Sequence, residues 1–191
     1  MQQILLRSRK GPFEVVSAED TLLRNMIATN AGNLIFSVAA HGILQTAGST
    51  VTADRFIIDP NDADRINERY DAYVIPLANA FRLSYEPTLI RLTQLIRQLR
   101  IPVVILGVGA QSNLRYETAR LRPIEAAVKA FASAVLDRSP SIGVRGELTL
   151  DSMGRRRVIS KRRSLWTPTP RMTTGIRSRR MSWVSRMRFD S

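Results

Sequence analysis

Three glycine-bearing turns carry the residues of this chain best suited to holding a ligand: Asn30, Gly32 and Asn33; then Gly107, Gly109 and Gln111; then Arg145 and Gly146. Each follows an apolar or turn-forming segment and precedes a helical pattern. A turn that enters a helix N-terminus presents unbonded N–H groups to an anion, and an adjacent Asn, Gln or Arg completes the coordination. The same residues have plainer uses, since Asn fills turns and caps helices and Gly relieves tight corners. Gln111 discriminates better, because a turn does not require Gln. GVGAQ lacks the third Gly of the dinucleotide fingerprint, and a Gly-Lys-Ser/Thr phosphate loop is absent.

Arg82, Arg115 and Arg145 follow predicted strand ends, where a guanidinium fork suits carboxylate or phosphate. The plain alternative for each is a solvated or structural arginine. His41 is the sole histidine, a residue type suited to acid or base work. It falls in mid-helix beside Gly42, away from the turns, and is expected on a helix surface or boundary. DPNDAD, beginning at Asp59, lacks the Gly and distal Glu of a calcium loop and reads as a loop and helix cap. The chain has no Cys, hence no thiolate metal site and no disulfide framework. No cofactor and no metal are expected from these residues.

The elements that must position these turns alternate. Residues 1–12 read as a flexible lead-in ending at Gly11 and Pro12. Ser17 with Asp20 marks a short helix to about Ile27, TNAGN is a turn, and LIFSVAAHGIL is a helix whose apolar positions Ile35, Val38, Ala39 and Ile43 share one face. Val51 to Ile58 is a weaker strand candidate, Pro60 to Arg69 a polar helix, and Ala72 to Leu77 a buried strand ending at Ala78, Asn79 and Ala80. Pro87 to Arg100 is amphipathic, with Leu89, Leu92, Leu95, Ile96 and Leu99 inward. Ile101 to Leu106 is a strand, Ile124, Ala127, Val128, Phe131 and Val135 stripe another helix, and strand Ser141 to Val144 and helix Glu147 to Met153 follow. Such alternation predicts an α/β fold, Rossmann-like, with a mostly parallel sheet and helices on both faces.

Charge divides the chain. Twelve of the 29 Lys and Arg lie beyond Gly154 against Asp190 alone, so residues 155–191 carry +11 and the remainder +2. The body reads as a neutral domain over residues 13–154, and the tail as a basic, disordered extension that contacts nucleic acid or anionic surfaces only nonspecifically. The opposing reading makes that tail, with Trp166 and Trp183, a genuine nucleic-acid binder. The longest apolar run near the N-terminus, Ile4 to Leu6, is far below a signal or membrane span, which sets a cytoplasmic expectation with no membrane span.

From about Asn30 to Gly154, NAGNLIFSVAAHGIL, DAYVIPLANAFR, IPVVILGVGAQS and SIGVRGELTLDSMG resemble the N-terminal half of the polysaccharide pyruvyl transferase family. The last two segments are the most specific. The resemblance implies one half of a GT-B-like pair of Rossmann-like domains, and transfer of a pyruvyl group from phosphoenolpyruvate to two hydroxyls of a sugar in polysaccharide synthesis. It also implies that the best donor-binding cations and the catalytic acid belong to a second domain. The substrate-binding candidates here are Asn30, Gly32, Asn33, Asn79, Arg82, Gly107, Gly109, Gln111 and Arg145, shaping the acceptor side. After Gly154 the chain departs from the family pattern, and its Arg, Ser, Thr and Pro content is that of an out-of-frame reading of a GC-rich gene. The expectation is therefore a truncated, frameshifted half, inactive by itself, that self-associates or requires a partner supplying the second half.

Overall fold

A computed structural model describes residues 1–24, 31–111, 118–146 and 149. The expectations for Asn30, Arg115, the helix 147–153 (but for Thr149) and the tail 155–191 lie outside the described residues.

Ile4, Leu5 and Leu6 are too few to cross a membrane but sufficient for a strand, and Gln2–Leu6 is β1. This corrects the reading of residues 1–12 as a flexible lead-in. β1 is an interior strand, in parallel register with β2 (Ser49–Ala53) from Gln2↔Ser49 to Leu6↔Ala53. On its other side it pairs with β3 (Ala72–Pro76) from Ile4↔Ala72 to Leu6↔Val74. About five residues make a typical strand, so β1 is of ordinary length. β3 in turn pairs with β4 (Val103–Leu106), giving an all-parallel sheet in the order β2-β1-β3-β4. The extended segment around Val144 bridges Val108 beyond the end of β4, where the sequence predicts a full strand.

One face of the sheet is covered by α3 (Ala63–Arg69), α4 (Glu86–Gln98) and α5 (Glu125–Leu136). α4 buries Leu89, Leu92, Leu95 and Ile96, and Leu99 closes the stripe just past its end. They meet Leu5, Tyr73, Ile75, Val103 and Ile105 from the strands and Val128, Phe131 and Val135 from α5 in one core. The period-3.6 stripe and the doubly buried strands thus produce the predicted α/β architecture.

The opposite face carries α2 (Ala31–Leu44), over a smaller core of Ile4, Leu6, Val51 and Val74. Helices therefore lie on both faces. Two expectations are corrected here. Gly32 and Asn33 belong to the first turn of α2 rather than to a separate turn. The face turned to the sheet is Ser37, Ala40 and His41, while Ile35, Val38, Ala39 and Ile43 point outward. Small side chains let the helix approach the strands, and the Ser37 hydroxyl is satisfied by donating to the Asn33 carbonyl at 2.9 Å. His41 is accordingly buried, not on a surface or boundary, with Phe13 edge-on to its ring at 6.0 Å.

α1 (Ala18–Leu23) begins at Ser17, whose side chain accepts from the Asp20 N–H at 3.0 Å, and residues 25–27 of the expected helix lie outside the described residues. It buries no residue. Among the described residues no helix is long and apolar enough to cross a membrane.

Candidate functional site

All four strands run parallel, so their carboxyl ends open on one edge, the usual ligand position in such sheets. Two constructions occupy that edge.

The first lies beyond β3 and β4. β3 ends in a corner where Ala78 takes a left-handed φ of 43°, unusual for a residue with a Cβ. Its carbonyl accepts the Gly109 N–H at 2.6 Å, which ties the β3 corner to the turn after β4. Gly107 is left-handed as well, with φ 58°, the conformation glycine adopts without strain. A Cβ on Gly109 would meet the Asn79 Oδ1 at 3.1 Å and the Ala78 carbonyl at 3.3 Å, so the turn tolerates no side chain there without displacement. The Arg145 side chain runs along both glycines, its Cγ 3.2 Å from where a Gly107 Cβ would stand and its Cδ 3.7 Å from that of Gly109. The Phe36 ring, from α2, reaches within 3.6 Å of the same Gly107 position.

Asn79, Gly107, Gly109 and Arg145 therefore come together. Arg82 joins at the margin, donating from Nη1 to the Asn79 carbonyl and from Nε to Ser84 Oγ, each at 3.2 Å, with its guanidinium over the Tyr85 ring. Gln111 is held by its main chain, its N–H donating to the Phe81 carbonyl at 3.0 Å, and its side chain is exposed. Gly32 and Asn33 are exposed in the first turn of α2, one turn before Phe36.

The gathered side chains are an amide and a guanidinium flanked by glycine backbone. They can bind hydroxyls or an oxyanion; none of them is a carboxylate or imidazole able to move a proton near neutral pH. No protein family, curated protein or solved structure matches this chain.

The second construction lies beyond β1 and β2. Asp54, directly after β2, accepts four hydrogen bonds: Oδ1 from the Ser8 N–H at 3.0 Å and the Phe56 N–H at 2.8 Å, and Oδ2 from Arg7 Nη1 at 3.2 Å and the Tyr73 hydroxyl at 2.6 Å. The carboxylate so joins the ends of β1 and β2 to β3. Arg55 and Phe56 adopt left-handed φ of 56° and 59° in the turn it anchors, and the Phe56 ring lies under the Arg7 and Arg9 guanidinium groups. Burial pushes the Asp54 carboxyl up from its usual range, against the pull of Arg7 and the Tyr73, Phe56 and Ser8 hydrogen bonds. Burial lowers Arg7, but Tyr73, Tyr85 and Asp54 outweigh it and the net shift is upward. Tyr73 is raised well above the ordinary phenol value, first by burial and then by the Asp54 charge.

An acid at the end of β2 is where dinucleotide enzymes of this architecture hold a ribose. Here all four of those donors come from the protein itself, so Asp54 has no comparable capacity for a ribose. The only signals in the sequence were a charged run, RSRKG, immediately after an apolar triplet, and an acid after STVTA. Both become visible once β1 is recognised as a strand.

Proposed function

We propose that this domain is the acceptor-side half of a pyruvyl-transferase-like enzyme of GT-B-like architecture, binding the sugar diol that receives a pyruvyl ketal. The observation that carries the reading is the meeting of Asn79, Gly107, Gly109 and Arg145 at the carboxyl ends of β3 and β4. Three of the segments that resemble the family supply those residues.

In the proposed reaction, two sugar oxygens bond to C2 of phosphoenolpyruvate and the C–O bond to phosphate breaks. One hydroxyl proton goes to the methylene carbon, making it a methyl, and the other leaves with phosphate. The amide of Asn79 and the Arg145 guanidinium serve to orient the acceptor's hydroxyls, and the glycines let the Arg145 side chain lie close against the two turns. Proton transfer and the grip on phosphoenolpyruvate are assigned to a companion domain, which is why the domain described here binds rather than transforms by itself.

Saturation-transfer NMR on the full chain with methyl galactoside, glucoside and mannoside tests the reading. At least one hexoside is expected to receive saturation, and Asn79→Ala is expected to weaken that transfer several-fold. Absence of saturation for all three, or transfer unaffected by Asn79→Ala, overturns it.

A further inference from the structure

We propose that the acceptor bound by this domain is an acidic sugar, whose carboxylate or phosphate is held by Arg82 and Arg145 at the carboxyl ends of β3 and β4. Recognition of an oxyanion follows from the donors themselves; that the oxyanion belongs to the diol-bearing sugar rests on the reaction assigned above.

Both guanidinium-bearing side chains converge on Asn79. Arg82 Nη1 donates to the Asn79 carbonyl at 3.2 Å. The Arg145 Cδ is 3.7 Å from where a Gly109 Cβ would stand, and that position is 3.1 Å from Asn79 Oδ1. Two like charges thus share one patch, and what holds Arg82 there is neutral: the Asn79 carbonyl, the Ser84 hydroxyl and the Tyr85 ring, 5.4 Å from the guanidinium to the ring centre. These contacts fix its plane, while Arg82 Nη2 has no partner among the described residues. Arg145 is exposed. Neither arginine has a carboxylate within ion-pair distance among the described residues, Glu86 included. Asp54, on the same edge of the sheet, already accepts four hydrogen bonds and supplies no counter-charge.

Hydrogen-bond polarity decides what such a patch recognises. A sugar hydroxyl donates as well as accepts, whereas the side chains here offer N–H groups from Arg82, Arg145 and Asn79 against one side-chain acceptor, Asn79 Oδ1. The main chain does not redress the balance, because the turn after β4 is bonded within the protein in both directions. The N–H groups of Val108, Gly109, Ala110 and Gln111 donate to Gly143, Ala78, Thr149 and Phe81, and the Val108 and Gly109 carbonyls accept from Arg145 and Phe81. A group rich in acceptors and without donors fits this set, and carboxylate and phosphate both match the guanidinium fork. Asn79, which donates and accepts, suits the neighbouring hydroxyl, and the five N–H groups of Arg145 are enough for hydroxyl and oxyanion together.

Dissociation constants of methyl galactoside, methyl galacturonoside and galactose 6-phosphate, measured by NMR titration of the full chain at physiological salt, test the proposal. At least one of the two acids is expected to bind about tenfold more tightly than the neutral galactoside. A lead for the galacturonoside identifies a carboxylate as the ligand group, and a lead for the sugar phosphate identifies a phosphate. Arg82→Gln and Arg145→Gln each reduce the preference and together abolish it, while Arg91→Gln on the exposed side of α4 leaves it unchanged. Arg145→Gln, at an exposed position, keeps the circular dichroism of the parent. The basic tail attracts anions equally in every variant, so only the part of the preference that the two substitutions remove counts. Equal affinity for acidic and neutral sugars, or a preference that the double variant retains, overturns the proposal. In that event a neutral galactoside whose binding still depends on Asn79 leaves the acceptor-side reading standing. Acids held through the two arginines but indifferent to Asn79→Ala, with no neutral hexoside bound, uphold the oxyanion site and overturn the diol reading instead.

Discussion

The Arg7 guanidinium lies 3.2 Å from the Asp54 carboxylate, with both side chains only 5% exposed, just past the ends of β1 and β2. This buried pair fastens the carboxyl end of β1 to that of β2. Removing one partner leaves an uncompensated charge in the interior, and Asp54→Ala is expected to cost about 3–5 kcal/mol in urea unfolding. The double variant Arg7→Met with Asp54→Leu removes both charges at once and is expected to be more stable than Asp54→Ala. Equal losses in the single and double variants would show that the pair is not coupled.

Tyr73 donates to the same carboxylate, and burial and Asp54 hold its hydroxyl protonated beyond the ordinary phenol range. Unfolding releases it to ionise at about pH 10. Its folded value being raised, the stabilising contribution is complete below that pH and is lost as the pH rises towards the folded value. Between pH 10 and 11.5 stability is expected to fall by up to about 1.4 kcal/mol per pH unit from this one group. Tyr73→Phe, less stable at pH 7 for want of its hydrogen bond, should show a shallower decline. Parallel melting curves of the two proteins over that range check the difference in slope.

Gly143 permits the chain beyond α5 to lie against β4. A Cβ there would stand 2.7 Å from the Ile105 carbonyl oxygen, an approach that backbone cannot easily yield. Gly143→Ala is expected to destabilise by about 1–3 kcal/mol, as overpacking does. At Gly146 a Cβ meets nothing within 4 Å, so Gly146→Ala serves as the near-neutral control in the same chemical denaturation series.

The charge partition predicts how the chain meets polyanions. With +11 in residues 155–191 and +2 elsewhere, binding to duplex DNA is expected to fall steeply with salt and to disappear when those residues are deleted. Scrambled and unscrambled duplexes should bind alike. A sequence preference that depends on the tail, measured by fluorescence anisotropy, would favour the nucleic-acid reading over the acceptor-binding one.

What the sequence reveals follows from which interactions are local. α4 and α5 announce themselves because their buried residues recur at helical spacing, and β3 and β4 because both faces of each are covered. Likewise Gly107, Gly109 and Arg145 mark corners at strand ends, and they do meet. β1 is less legible, since five residues next to a charged run carry no period. Which face of α2 meets the sheet is hard to read for a different reason: hydrophobicity picks out Ile35 and Ile43, whereas close packing selects Ser37 and Ala40. Least legible is the Asp54 node, whose donors come from Arg7, Ser8, Phe56 and Tyr73 in three separate segments and share no spacing that a sequence displays.

The most direct measurement is an amide-resolved NMR titration of the full chain with the hexoside that saturation transfer selects. The Asn79, Gly107, Gly109 and Arg145 resonances are expected to shift together and saturate with one dissociation constant, while those of α4 stay still. Shifts confined to other surfaces, or none at saturating sugar, would contradict the acceptor-side reading.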